Sequence, residues 1–309
     1  MAIELCAFEG WTQNLRLSNN SVELIIPLEI GPRVMSYRPL TGRNVFKVLV
    51  DQAGGKQEAD IRLRGGHRLW LAPEDYGREN SLTYIIDNNE IEHEVLDDQS
   101  LRVAHTAQAP HRLRREMRIH LAASGSKVTV EHTLHNAGPA PIVGSPWALS
   151  VMAAGGFAIL SQPGLGTHPE DYVPNRRLVL WPFTDLADER LRLGTRLLRL
   201  YQTNRKPIKF GLQHREGWAG YVLGDHLFLK TIPYLEGQEY PDFGSNFEAF
   251  TNWDFLEVES LGPLERLEPG ASARHTETWV VFAGVHLPDP QEEEAFLAAL
   301  EPYTRQLLS

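Results

Sequence analysis

Short runs in which apolar and polar residues alternate recur along this chain, and prolines and glycines interrupt them at close intervals. With 20 Pro and 25 Gly in 309 residues, a long helix has few places to form. The alternating runs include residues 22–27, 33–37, 83–86, 101–107, 114–121 and 127–134, then 219–223, 226–231, 255–260 and 275–282. Many short strands with turn residues between them predict an all-β sandwich or barrel. Residues 114–121 show the logic: Arg114, Glu116, Arg118 and His120 share one face, and Arg115, Met117, Ile119 and Leu121 the other. Asn88-Asn89, Ala123-Ser124-Gly125 and Asn136-Ala137-Gly138-Pro139 supply the turns, so this region predicts an antiparallel meander.

Two segments depart from the strand pattern. Residues 185–200 could hold a short helix or turn around Leu186, Arg190 and Leu193. After Pro288-Asp289-Pro290, a helix is expected over residues 291–308, with Phe296, Leu297, Leu300, Tyr303 and Leu307 at helical spacing. Glu292, Glu293 and Glu294 suit its N-terminal dipole, and its apolar stripe predicts a helix capping the sandwich. No linker or internal repeat divides the chain, so a single domain over residues 1–309 is expected.

The charge balance excludes some partners. Thirty basic against 40 acidic side chains give a formal charge of −10, which argues against a nucleic-acid or anionic-membrane surface. Cys6 is the only cysteine, so no disulfide forms within the chain and a cysteine-based zinc site is excluded. His132 and His135 sit at an odd separation that sends them to opposite faces of a strand, and no metal is expected there. The first residues carry an early acid and no apolar run of signal-peptide length, and no stretch approaches about 18 apolar residues. A soluble cytoplasmic protein is the expectation. There is no Gly-x-Ser-x-Gly elbow and no His-Glu-x-x-His helix. Gly54-Gly55-Lys56 and Gly164-Leu165-Gly166 both lack the rest of a nucleotide-binding loop.

Three segments concentrate polar and aromatic side chains. Gly65-Gly66 precedes His67-Arg68-Leu69-Trp70 and Ala72-Pro73-Glu74-Asp75, and paired glycines let the backbone approach a ligand closely and re-aim the next side chains. Ser145-Pro146-Trp147-Ala148 and the later Trp181-Pro182-Phe183 offer indoles on which the apolar face of a sugar ring can stack. The third segment runs from Tyr240 through Asp242, Glu248 and Phe250-Thr251-Asn252 to Phe255-Leu256-Glu257-Val258-Glu259. On a strand Glu257 and Glu259 share one face roughly 7 Å apart. Two like charges that close raise one another's pKa, which is how a general base is poised.

In these segments the chain resembles the galactose-mutarotase-like (aldose 1-epimerase-like) superfamily, with its nearest likeness to an uncharacterised bacterial branch. The likeness runs in order through Glu29-Ile30-Gly31-Pro32-Arg33-Val34, Gly66-His67-Arg68-Leu69-Trp70, Thr133-Leu134-His135-Asn136-Ala137-Gly138, Phe250-Thr251-Asn252 and Leu256-Glu257-Val258-Glu259-Ser260. The resemblance implies an all-β antiparallel β-supersandwich, here with a C-terminal helix, and a sugar bound on one sheet. It also implies a cofactor-free exchange of anomers, in which a Glu takes the anomeric proton and a His protonates the ring oxygen. By position Glu259 matches the base, with Glu257 as the fallback.

The family's His strand corresponds to Gly144-Ser145-Pro146-Trp147-Ala148-Leu149, which holds no His, so the acid is expected from His67 or His168. Arg68 and Asp242 are expected to bind hydroxyls, Trp147 to form a stacking floor, and Trp70, Glu248 and Glu257 to complete the sugar site. Arg68, Arg114 and Arg118 are candidates for a ligand carboxylate or phosphate. The expected partner is a small carbohydrate. The rival readings are a binding or sensor protein that keeps the site without the chemistry, and a glycoside hydrolase, which needs two carboxyls flanking the bond.

Overall fold

The computed structural model describes residues 2–108 and 111–309. Of the expected meander, the strands over residues 101–107, 114–121 and 127–134 are present, the last two joined at Ala123-Ser124-Gly125; Asn88-Asn89 joins no strand pair, and Asn136-Ala137-Gly138-Pro139 leads to Ile142–Met152 in a different sheet. The strands Glu92–Val95, Ser100–Thr106, Leu113–Leu121 and Val128–Asn136 are successive antiparallel neighbours at one end of a ten-stranded sheet. Alternation decides what each side chain does there. Arg115, Met117, Ile119 and Leu121 are buried, while the outward Arg114 pairs with Glu92 at 2.7 Å and Arg102 with Glu94 at 2.8 Å.

A second sheet of eight strands carries the three polar and aromatic segments. Its order is Leu178–Leu180, Ile208–Leu212, Phe247–Thr251, Leu256–Leu261, Ile142–Met152, His67–Ala72 and Arg33–Val34, with Glu265–Leu267 paired to the start of the long Ile142–Met152 strand. The two large sheets share one buried core, in which Leu69, Phe210 and Val258 from the second meet Met117, Tyr221 and Trp279 from the first. A four-stranded sheet of Ala2–Phe8, Trp11–Ser18, Val22–Pro27 and Ser36–Pro39 adds Leu17, Leu24 and Tyr37 to the same core. The architecture is an antiparallel β-sandwich with one long C-terminal helix.

That helix, Glu293–Leu308, lies on the outer face of the ten-stranded sheet. Phe296, Leu300 and Leu307 are buried against Val222, Leu229 and Val280, each contributing about 1.5–3 kcal/mol of apolar burial.

One local expectation is corrected, and another resolves to its alternative of a turn. Residues 83–86 form no strand. The Asp75 carboxylate accepts from the backbone N–H groups of Leu82 and Thr83 at 2.8 and 3.2 Å, and the Thr83 hydroxyl donates to the Leu71 carbonyl at 2.7 Å. These bonds fold the segment as a loop across the strand His67–Ala72. Residues 185–200 form no helix: a turn at Asp188 leads into a hairpin of Leu191–Leu193 and Leu197–Tyr201. Among the described residues no helix is long and apolar enough to cross a membrane.

Gly65 and Gly66 approach the protein's own backbone, not a ligand site. Both have positive φ, +88° and +71°, and a Cβ would fall 2.1 Å from the Lys47 carbonyl oxygen at the first and 2.6 Å from that of Val34 at the second. Only glycine allows this approach, which sets the direction in which the strand bearing Arg68 starts.

Candidate functional site

Strand alternation sorts the eight-stranded sheet into an inner face, toward the core, and an outer face. Arg68 and Trp70, Trp147 and Leu149, Lys209, Phe250 and Glu257 fall on the outer face. Loops bringing Tyr84, Trp181 and Phe183 close over them, and a cavity of about 360 Å³ results. That volume lies within the range of small-molecule sites, about 300–1,000 Å³.

Glu257 stands on the cavity wall. Its Oε1 accepts from Arg68 Nη2 at 2.8 Å, and the guanidinium lies 4.1 Å over the Trp70 ring. Burial pushes the Glu257 carboxyl up to about 7, and the charge of Glu259 adds to this while Arg68 opposes it. It is therefore poised between its two protonation states near neutral pH.

Glu259 lies beneath this wall. Its side chain is fully buried, and its Oε2 accepts from Trp147 Nε1 at 2.7 Å and from Lys209 Nζ at 3.0 Å. Lys209 also meets Glu248 at 2.7 Å, and its ammonium lies 4.5 Å from the Trp147 ring centre and 4.7 Å from that of Trp181. Burial alone would lower the Lys209 pKa, but Glu248 and Glu259 hold it above its ordinary value, so it stays charged. Burial pushes Glu248 well above the usual carboxylate range; Lys209 opposes this, and Glu259 and Asp242 add to it. Asp242, on the turn before the Glu248 strand, is also raised by burial.

The expected residues on this face thus divide into two groups. Arg68, Trp70, Trp147 and Glu257 line the cavity, while Glu248 and Glu259 form a layer under it around Lys209, with Asp242 beside Glu248. Glu259, where the resemblance places the base, is covered by Trp147 and Lys209, and the fallback, Glu257, is the member of the pair that lines the cavity.

His67 is the larger correction. It is adjacent to Arg68 on one strand, so the two point to opposite faces, and His67 is fully buried between the sheets. The other expected source of the acid, His168, lies on an exposed loop and does not line the cavity. The arginines offered for an acidic ligand separate likewise, Arg114 and Arg118 facing outward from the ten-stranded sheet.

Lys209, Tyr84 and Glu74 were not anticipated at the site. A lysine alternating with Ile208 and Phe210, in a chain with six lysines, was the one available signal for the first. Tyr84 and Glu74 hydrogen-bond to each other at the cavity lip.

Behind the site the interlayer space holds a polar network. His132 Nδ1 lies 3.1 Å from the His275 carbonyl oxygen, which only accepts, so the proton is on Nδ1 and Nε2 is bare. His67 Nε2, 2.8 Å away, then donates to it, and His67 Nδ1 accepts from Ser150 Oγ at 3.0 Å. Burial holds His67 and His132 below their ordinary values, and His275 falls to about 3 for the same reason. Glu277, paired with Lys230 at 2.7 Å, supplies the counter-charge.

His67, His132 and Glu277 place ligand atoms within 4.8 Å of one another, the one such group among the described residues. In this arrangement the group satisfies itself: His67 Nε2 and His132 Nε2 meet each other, and Lys230 pairs with Glu277.

No protein-family model and no curated protein matches the sequence. Solved structures do match the fold. A candidate aldose 1-epimerase from Escherichia coli K12 superposes with a TM-score of 0.59 at 14% identity, over 88% of this chain and 99% of that one. A galactose mutarotase-like protein from Lactobacillus casei gives 0.56 at 12% identity, over 87% and 100%. A galactose mutarotase related enzyme from Lactobacillus acidophilus gives 0.55 at 10% identity, over 88% and 98%. The chain has the galactose mutarotase-like (aldose 1-epimerase-like) fold.

Proposed function

We propose that this protein binds a small sugar in the cavity on its eight-stranded sheet and catalyses anomer exchange by proton transfer, as an aldose 1-epimerase-like isomerase. The observation that carries the reading is the Glu257 carboxyl, placed on the wall of an aromatic cavity with its pKa raised to about 7. In its ionised form Glu257 takes the proton of the anomeric hydroxyl, the ring C–O bond opens, and the ring oxygen takes a proton from a water molecule, which recovers it on reclosure as Glu257 returns its own to the carbonyl oxygen. Rotation about the adjoining C–C bond and reclosure, with the proton returned, give the other anomer. Trp70, under the Arg68 guanidinium, and Trp147 give the cavity an aromatic wall, and Arg68 orients Glu257.

A second reading, a sugar-binding or sensor protein without the chemistry, draws on one specific observation: no imidazole lines the cavity among the described residues, and Trp147 lies in the segment where the resemblance expects a His. Glycoside hydrolysis is less supported, because Glu259 is covered and cannot face Glu257 across a ligand.

NMR exchange spectroscopy over a panel of reducing sugars separates these readings. Accelerated interconversion of one sugar's anomers supports the isomerase. Line broadening of a sugar whose anomers exchange at the uncatalysed rate supports the binding protein and overturns catalysis.

A further inference from the structure

We propose that the ligand of this cavity is a reducing saccharide of at least two rings, with the second ring seated at the mouth on Tyr76 and Glu74. The inference rests on the sugar-site reading above and specifies the ligand of that same site.

The wall of the cavity continues outward as a series of aromatic rings. Trp147 packs against Trp70 at 5.8 Å, Trp70 against Tyr84 at 5.0 Å, and Tyr84 against Tyr76 at 5.7 Å. All four line the cavity. Trp147 and Trp70 are buried, Tyr84 is half-buried and Tyr76 is 83% exposed, so the series runs from the depth of the site into water. A ring that open leaves at least one face bare. The loop that carries it is tied down: Asp75, between Glu74 and Tyr76, accepts from the N–H groups of Leu82 and Thr83 at 2.8 and 3.2 Å. The cavity's volume of about 360 Å³ is near the lower bound for small-molecule sites, so a group linked to a ring held beside Glu257 comes out along these rings.

The chemistry of the mouth decides what that group is. Tyr76 and the exposed Phe183 offer apolar ring surface, and the exposed Glu74 carboxylate accepts hydrogen bonds, as it does from the Tyr84 hydroxyl. A second pyranose answers both, stacking its C–H face on a ring and donating its hydroxyls to the carboxylate. An alkyl chain would use only the rings, and a phosphate or uronate would bring like charge to Glu74. Anomer exchange requires the anomeric carbon of the inner ring to lie at Glu257. The outer ring is therefore a glycosyl substituent on that sugar, and the reducing end stays free.

The test measures dissociation constants by NMR titration for maltose, cellobiose, lactose and gentiobiose against glucose, and for mannobiose and galactobiose against mannose and galactose. At least one disaccharide is expected to bind roughly tenfold more tightly than its own reducing-end hexose, the value of a stacked ring and one hydrogen bond. Tyr76→Ala removes the outer seat at an exposed position, and the ratio should narrow to within about threefold while hexose affinity is unchanged. Tyr76→Phe keeps the ring face and should keep the ratio. Hexoses that bind as tightly as every disaccharide built on them overturn the proposal. An undiminished ratio in Tyr76→Ala overturns the seat on that ring. If hexoses bind or exchange without the preference, only this inference fails; if neither hexose nor disaccharide binds, the sugar-site reading fails with it.

Discussion

Glu257 and Glu259 are two residues apart on one strand face, yet their surroundings differ. Glu259 has an indole N–H and an ammonium on one oxygen and is sealed under Trp147, while Glu257 has one guanidinium and an open side. A carboxylate base titrating near 7 loses most of its active form on acidification. Anomer exchange should therefore fall about tenfold between pH 8 and pH 6 in a pH–rate profile. A flat profile over that range would remove Glu257 from the proton transfer. Trp147→Phe keeps a ring but leaves Glu259 without its N–H donor, a loss expected to cost about 1–3 kcal/mol in urea unfolding. Wild-type stability in that variant would mean that the bond is not what holds Glu259. That Glu257 and Glu259 share a face was legible from their spacing, and so was the conflict in placing both His67 and Arg68 in one site, since neighbours on a strand cannot share a face. Lys209 was not legible, because only pairing with the Phe247–Thr251 strand brings it to Glu248 and Glu259.

Elements were readable wherever one face is dry and the other wet. Residues 114–121 and the C-terminal helix are explained by their periods because each packs one face on the core. Residues 83–86 alternate equally well, but Asp75 and the Thr83 hydroxyl satisfy that backbone from outside a ladder, a competition invisible to a pattern of hydrophobicity. In residues 185–200 the leucines serve a hairpin at period two. The helix belongs to the opposite side of the sandwich from the cavity. Leu300→Ala should cost about 2–5 kcal/mol of stability while leaving sugar affinity at its wild-type value. A matching loss of affinity in the folded variant would show that the two sheets are coupled.

For the molecule as a whole, the two sheets hide groups whose titrations oppose each other. Burial holds His67, His132 and His275 neutral in the folded state, so the unfolded chain binds more protons below about 6.5 and stability falls as pH drops. Glu257, Glu248 and Asp242 are raised, so between their ordinary values and about pH 7 the folded state binds more protons, and stability falls as pH rises. Replacing Glu257 by Gln removes one of the second kind. The variant should gain stability relative to wild type between pH 5 and pH 8 in urea titrations, and a constant difference would contradict the raised carboxyl.

The central claim, that Glu257 moves the proton, is tested most directly by anomer exchange spectroscopy on wild type and Glu257→Gln at pH 7.5 with a sugar that both bind. The amide is close in shape to the carboxyl and cannot act as the base, so exchange is predicted to fall by about 10²-fold or more while binding persists. Exchange at the wild-type rate in the folded, sugar-binding variant would contradict it.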